Sequence, residues 1–195
     1  MLTAHAVPGK QKAADLCAAF VAGAPKDAVG HVFYGVKEGN AAAWHKVLRS
    51  GEPYYFIDNS YFDVAREIQF RVTRNAVQMP AARVRAAKTN GDRFDNLGVK
   101  VEQWLGERPG YWLVVPQSPI FMTLTAENPT WFTDTMVELK RSGREAKVRP
   151  WDHNKLKLTA TLPADLAGAH ALVTHTSAAA ITAAMMGVPF RVSPM

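Results

Sequence analysis

The chain of 195 residues has a single cysteine, Cys17, and no long run of apolar residues. One thiol cannot form an internal disulfide or a multi-cysteine zinc site, so the sequence favours a reducing compartment. No apolar stretch approaches the ~20 residues that a membrane-spanning helix needs. Residues 1–12 also lack the charged-then-apolar layout of a signal peptide. We therefore expect a cytoplasmic protein without a membrane span.

The sequence motifs of several common catalytic sites are also absent. The six histidines show neither an H-x-x-x-H spacing nor a Cys/His spacing, so no metal site is expected. The chain contains no G-x-x-x-x-G-K-[ST], no G-x-G-x-x-G and no G-x-S-x-G. P-loop chemistry, a dinucleotide cofactor and a hydrolase nucleophile are therefore unsupported, and we expect no cofactor.

The charge of the chain is moderately basic and is concentrated in one segment. Lysine and arginine number 23 against 17 acidic residues, which leaves a net charge of +6. A basic surface favours anionic partners without naming one. Residues 71–93 hold a single acid, Asp92, and most of the excess: Arg71, Arg74, Arg83, Arg85, Lys88 and Arg93. These residues could contact nucleic acid or another acidic acceptor, or they could form a solvated loop. Both interpretations stay open.

Apolar strand-like runs alternate with helix-like runs in both halves of the chain. The predicted strands are His31–Val36, Tyr54–Ile57, Gln69–Thr73, Tyr111–Val115, Ala146–Arg149, Ala169–Val173 and Pro189–Val192. The predicted helical segments are Ala41–Arg49, a helix beginning after Asn128, Leu162–Leu166 and Ser177–Met186, whereas Pro80–Asn96 is predicted as a connection. This alternation predicts an α/β fold with mostly parallel sheets. We expect two compact Rossmann-like lobes with a cleft between them, residues 1–107 and residues 108–195, divided near the turn Gly106–Gly110.

The segment from Ala169 to Pro194 is the most informative for function. A buried strand is followed by the hydroxyl residues Thr174, Thr176 and Ser177 and then by a helix of small residues. The first amides of a helix lack internal acceptors, and hydroxyl groups add donors, so a diphosphate could bind there. The alternative is that a hydroxyl caps the helix and the alanines only pack. Both remain open.

The sequences LVTHTS, AAAITAAMM and GVPFRV resemble the C-terminal nucleotide-sugar-binding domain of GT-B glycosyltransferases and UDP-sugar 2-epimerases. Upstream, WLVVPQS resembles the strand that opens this domain, and KVRP resembles a later basic site. The resemblance covers residues 111–194. It implies a nucleotide-sugar site formed by Ser118, Arg149, Thr174, His175, Thr176, Ser177 and Thr182. Thr182 stands where relatives commonly have a glutamate that contacts the ribose.

One carboxylate in the first half is placed to act as a general base. Asp58 directly follows the apolar run YYFI, so its side chain should emerge at the carboxyl end of a strand. The alternative is an Asx turn or a helix cap. Weaker candidates are Glu127, Asp134, Asp152 and His153.

These features predict a metal-independent glycosyltransferase that moves a sugar from a nucleotide-sugar donor to a hydroxyl acceptor. The acceptor could be a glycan, a small molecule or a modified nucleic acid, and such a small enzyme would suit a bacteriophage genome. The alternative is a catalytically inactive GT-B-like module that binds nucleic acid or a protein partner.

Overall fold

The computed structural model describes residues 1–60, 70–79, 81–87, 91–118, 122, 128–150 and 160–192. The chain divides into two compact units, Met1–Lys88 and Thr89–Met195. Each unit contains a four-stranded sheet with helices packed against it, and seven of the eight strands described run parallel to a neighbour. The predicted α/β class with mostly parallel strands is therefore confirmed. Within the described ranges, no helix is both long enough and apolar enough to cross a membrane.

The first unit has the strand order β1-β2-β3-β4. Its elements are β1 (Leu2–Ala4), α1 (Gln11–Gly23), β2 (Gly30–Tyr34), α2 (Glu38–Ser50), β3 (Tyr54–Asn59), β4 (Phe70–Arg74) and the short helix α3 (Ala81–Ala86). The first three strands are parallel, and β4 is antiparallel to β3. The strands predicted from β-rich runs are confirmed here, whereas β1 and α1 were not predicted.

Helices cover both faces of the first sheet, as the continuous apolar run in β3 requires. On one face, Phe20 of α1 packs against Tyr55 with ring centroids 5.1 Å apart. On the other face, Trp44 of α2 packs against Phe33 and Phe56. Helix α2 ends at Gly51, whose φ of +69° places it in the left-handed region that glycine adopts without a steric penalty.

The second unit has the strand order β6-β5-β7-β8, with every described pair parallel. Its elements are α4 (Asp92–Asp95), β5 (Tyr111–Val115), α5 (Trp131–Arg141), β6 (Ala146–Val148), α6 (Leu162–Ala167), β7 (Ala169–Thr174), α7 (Ala179–Met185) and β8 (Phe190–Val192). The predicted strands and helices of this half are confirmed to within two or three residues. The predicted connection Pro80–Asn96, in contrast, contains α3 and α4.

The order of the strands reverses at β5. From β5 the chain passes through α5 to β6 on one side, and it then returns through α6 to β7 on the other side of β5. Helix α5 packs on one face of the sheet, where Trp131 lies in a cluster with Val114 and Val173. Helices α6 and α7 pack on the opposite face, where Leu166 and Ala183 lie in a cluster with the other core side chains. The helices that follow β5 and β7 therefore lie on opposite faces of the sheet.

The segment before β5 belongs to the second unit. The amide of Glu102 donates to the carbonyl of Met185 and the amide of Leu105 donates to that of Gly187, both at 2.8 Å. Gly187 has a φ of +68°, and a Cβ there would collide with the carbonyl of Gln103. The predicted division at residues 107/108 thus falls inside this unit, because these contacts join residues 102–105 to the end of α7.

The core of the first unit should depend on Trp44, which is 1% exposed. We expect Trp44→Ala to lower the free energy of unfolding by about 3–5 kcal/mol, because the surrounding rings cannot fill the cavity. Leu48→Ala, at a 41% exposed position of the same helix, should cost less than about 1 kcal/mol. Urea denaturation followed by circular dichroism measures both. Equal losses would contradict the core position of Trp44.

Candidate functional site

The candidate site lies at the carboxyl ends of β5 and β7, and the space beyond these two strand ends is called the crevice below. These two strands are neighbours and parallel, with Val115 paired to Thr174 at their ends. The loop after β5 leads to α5 on one face, and the turn after β7 leads to α7 on the other face. In open parallel sheets, such a reversal of strand order is where ligands bind. Both loops belong to the second unit.

Two side-chain hydrogen bonds hold the strand ends together. The hydroxyl of Thr174 is fully buried and donates to the carbonyl of Val115 at 2.7 Å. Thr174 therefore joins the two strands through its side chain, and its contact with a nucleotide stays a prediction. Two residues beyond the end of each strand, Nε2 of Gln117 donates to Oγ1 of Thr176 at 2.7 Å. Gln117 was not singled out from the sequence, where its only signal is its position just after a buried strand.

The turn before α7 presents backbone amides and a hydroxyl. Ser177 is half-buried, Ala178 is exposed, and no described residue accepts a hydrogen bond from either of their amides. Oγ of Ser177 accepts from the amide of Ala179 at 3.2 Å. Helix α7 begins at Ala179, two residues later than predicted, and has only seven residues. An anion here would therefore bind to turn amides and hydroxyls, with little help from a helix dipole.

His175 is a buried imidazole with an unused hydrogen-bonding atom. The residue is 2% exposed, and its ring meets that of Trp131 edge-on with centroids 5.7 Å apart. Its Nδ1 has no hydrogen-bond partner among the described residues. Burial lowers the pKa of His175 below the usual 6.5, so the ring is neutral at pH 7. A buried polar atom without a partner is uncommon and marks the end of β7 as unusual.

Arg149 forms an ion pair inside the second unit. Its Nη1 donates to Oδ2 of Asp165 at 2.5 Å and to the carbonyl of Ala160 at 2.9 Å. Arg149 and Asp165 are 7% and 4% exposed, and Nζ of Lys147 donates to the same carboxylate at 2.7 Å. Burial alone would raise the pKa of Asp165, but hydrogen bonds from Lys147 and Arg149 lower it. Arg149, predicted to face a diphosphate, is thus paired with Asp165, a carboxylate that it shares with Lys147, and its contact with a diphosphate stays a prediction.

The remaining donor-site candidates lie on the surface of the same unit. Thr182 is half-buried on α7, beside the buried Ala183. Ser118 is half-buried three residues beyond the end of β5. Their contact with a nucleotide stays a prediction.

Asp58 lies in the first unit, near the end of β3 as predicted. Its Oδ2 accepts from Nη2 of Arg71 at 2.5 Å, and its Oδ1 accepts from the amide of Asn59 at 2.8 Å. The side chain is 39% exposed. Arg71 and the Asn59 amide each use one site on a carboxylate that offers about four, so Asp58 can still accept from a hydroxyl while paired with Arg71.

Three arginines of the basic segment are exposed around β4 and α3, namely Arg74, Arg83 and Arg85. Nη1 of Arg83 donates to the carbonyl of Arg74 at 2.8 Å, and the guanidinium of Arg74 lies 5.8 Å from the centre of the Tyr55 ring. Arg71 is half-buried beside Asp58. The other candidates from the sequence lie outside the described residues: Lys88, Glu127, Asp152 and His153.

The part of the chain that the structure describes contains no group of three or more histidine, cysteine or acidic side chains that could hold a metal ion. Comparison of the chain with protein-family models, with curated proteins and with solved structures gives no match. The candidate site is therefore argued from its own geometry.

Removal of one partner should cost far more stability in the buried ion pair than in an exposed one. We expect Asp165→Ala to lower the free energy of unfolding by about 3–5 kcal/mol, because it leaves the Arg149 guanidinium buried without a counter-charge. Glu138→Ala removes the partner of Arg191 in an exposed pair with N···O 3.4 Å and should cost less than about 1 kcal/mol. Urea denaturation of the two variants compares them. Similar losses would show that Arg149 does not depend on Asp165.

The burial of His175 should make folding pH-dependent. Because its pKa is lower in the folded chain than in the unfolded chain, the unfolded chain binds more protons and stability falls from about pH 7 to about pH 5. We expect His175→Leu to reduce this loss. Part of it should remain, since burial and the nearby His31 also lower the pKa of His5. Urea denaturation at both pH values tests this, and an unchanged pH dependence would contradict it.

Proposed function

We propose that the protein is a GT-B-type glycosyltransferase whose second unit binds a nucleotide-sugar donor in the crevice between the ends of β5 and β7. The observation that carries the proposal is the reversal of strand order at β5, beside a turn whose amides have no described acceptor. The resemblance of residues 111–194 to nucleotide-sugar-binding domains supports the choice of ligand. A Rossmann-like organisation of the second unit is part of the same proposal.

The crevice offers neutral donors to a diphosphate. The amides of Ser177 and Ala178 and the hydroxyl of Ser177 lie in one short turn, next to the Gln117–Thr176 hydrogen bond. Transfer breaks the bond between the anomeric carbon of the sugar and a diphosphate oxygen, so negative charge develops on the leaving diphosphate. Donors that are already fixed in place stabilise such charge without reorganisation. Because Arg149 is paired with Asp165, this proposal gives it a structural role.

Fewer of the described residues support an assignment for the acceptor half of the reaction. The proton of the acceptor hydroxyl must pass to a base as the new glycosidic bond forms. Asp58 remains the proposed base, although Arg71 occupies one of its oxygens. The donor-site proposal does not depend on this assignment.

A second candidate function, nucleic-acid binding without catalysis, is favoured by the basic segment. Arg74, Arg83 and Arg85 are exposed, and a hydrogen bond joins Arg83 to the backbone of Arg74. Contacts of this kind with phosphates weaken steeply as the salt concentration rises.

The donor site is tested by thermal unfolding in the presence of UDP-, GDP-, CMP- and ADP-sugars. A ligand present at about a hundred times its Kd stabilises the folded protein by about 2.7 kcal/mol, which gives a measurable rise in Tm. We expect Ser177→Glu to abolish this rise, because its carboxylate repels the diphosphate. The matched variant Ser177→Ala, which removes one hydroxyl and adds no charge, should keep most of it.

Two results would contradict the proposal. One is a Tm that no nucleotide sugar changes; salt-sensitive binding of DNA or RNA would then favour the second candidate function. The other is equal stabilisation of wild type and Ser177→Glu, which would place the nucleotide elsewhere on the chain.

A further inference from the structure

A separate cavity of about 210 Å³ lies beside α5, on the face of the second sheet that this helix covers. Its floor is apolar and belongs to the core. Trp131, Leu139 and Val173 line it and are 7%, 4% and 5% exposed. Trp112, at the start of β5, forms one wall. The cavity is smaller than the roughly 300–1,000 Å³ of most ligand pockets, so it suits a ligand of a single ring.

The rim of the cavity carries charged groups of both signs. Glu138 and Arg191 form an exposed pair with N···O 3.4 Å and largely balance one another. Asp134 accepts hydrogen bonds through Oδ2, from the Thr130 hydroxyl at 2.7 Å and from the Asn128 amide at 3.3 Å. Its Oδ1 accepts from no described residue, so one acceptor remains for a ligand.

Arg144 supplies donors on the same rim. Its guanidinium carbon lies 4.4 Å from the centre of the Trp112 ring, so the indole holds the group in place by a cation–π contact. No described carboxylate or carbonyl accepts a hydrogen bond from it. A guanidinium has five N–H donors in a fixed plane, so most of its donors are available to a ligand.

We propose that this cavity binds a single neutral sugar residue. Each sugar hydroxyl both donates and accepts, so one ring can donate to Asp134 and accept from Arg144 while its C–H groups contact the apolar floor. The charges of Asp134 and Arg144 have opposite signs, so the cavity needs no charged ligand to neutralise it. Both groups are exposed, and exposed charges attract a charged ligand only weakly in salt. Matched hydrogen bonds therefore favour a sugar over a zwitterion such as a free amino acid.

This inference does not rest on the proposed donor site. The cavity lies on a face of the sheet, whereas the crevice lies at the ends of its strands, and neither Ser177 nor Gln117 lines the cavity. A failed test of either site therefore leaves the other unaffected.

The test is an NMR titration of the full ¹⁵N-labelled chain with methyl glycosides of common hexoses and N-acetylhexosamines. The indole N–H signals of Trp112 and Trp131 report on the cavity, and that of the buried Trp44 in the first unit is an internal control. We expect at least one glycoside to shift the first two signals and not the third, with saturation at about 10 mM or below. No shift with any glycoside would overturn the proposal, as would binding of glycine or alanine in place of sugars.

A pair of arginine variants tests the contact itself. Arg144→Ala should raise the Kd of the glycoside by about tenfold to a hundredfold, because it removes charged donors. Arg141→Ala, at an exposed position near the end of α5 that does not line the cavity, should leave the Kd unchanged. The dispersion of the NMR spectrum shows whether each variant is folded. Equal affinity of Arg144→Ala and wild type would also overturn the proposal.

Discussion

The parallel pairing of β5 with β7 is the constraint on which the second unit depends. It brings Val115 beside Thr174, and the fully buried Thr174 hydroxyl closes the pair by donating to the Val115 carbonyl. Because β6 already occupies the other edge of β5, the helices that follow β5 and β7 lie on opposite faces of the sheet. The position of α5 over one face and of α7 over the other is a consequence of this order.

The charges of the second unit are arranged so that the strongest pair is internal. The Asp165 carboxylate accepts from Arg149 and Lys147, and Arg149 also donates to the carbonyl of Ala160. Burying a guanidinium is favourable only where a carboxylate and further acceptors compensate the lost water. The Arg149 guanidinium is therefore engaged with Asp165 and with the Ala160 carbonyl. Arg144 is different, since its charge remains exposed on the indole of Trp112.

The sequence predicted those elements whose apolar residues form a continuous or periodic run. Tyr54–Ile57 and Tyr111–Val115 are continuous apolar runs because helices cover both faces of the strands that they form. Helix α1 was missed because its N-cap, Lys10, makes no side-chain cap hydrogen bond and leaves no signal in the sequence. Side-chain partners were beyond prediction. The contacts of Gln117 with Thr176 and of Arg149 with Asp165 join residues 59 and 16 positions apart, and only the strand order brings them together.

Trp131 connects the two candidate sites of the second unit. Its ring meets the buried imidazole of His175 at the end of β7, and the same side chain lines the floor of the cavity beside α5. The indole is 7% exposed, and on the sides away from the cavity it can turn only by displacing its packed neighbours. A ligand that moved Trp131 from the cavity side would therefore change the surroundings of His175. For this reason, substitutions at Ser177 or Arg144, which leave the indole in place, separate the two sites more cleanly than a substitution of Trp131 itself.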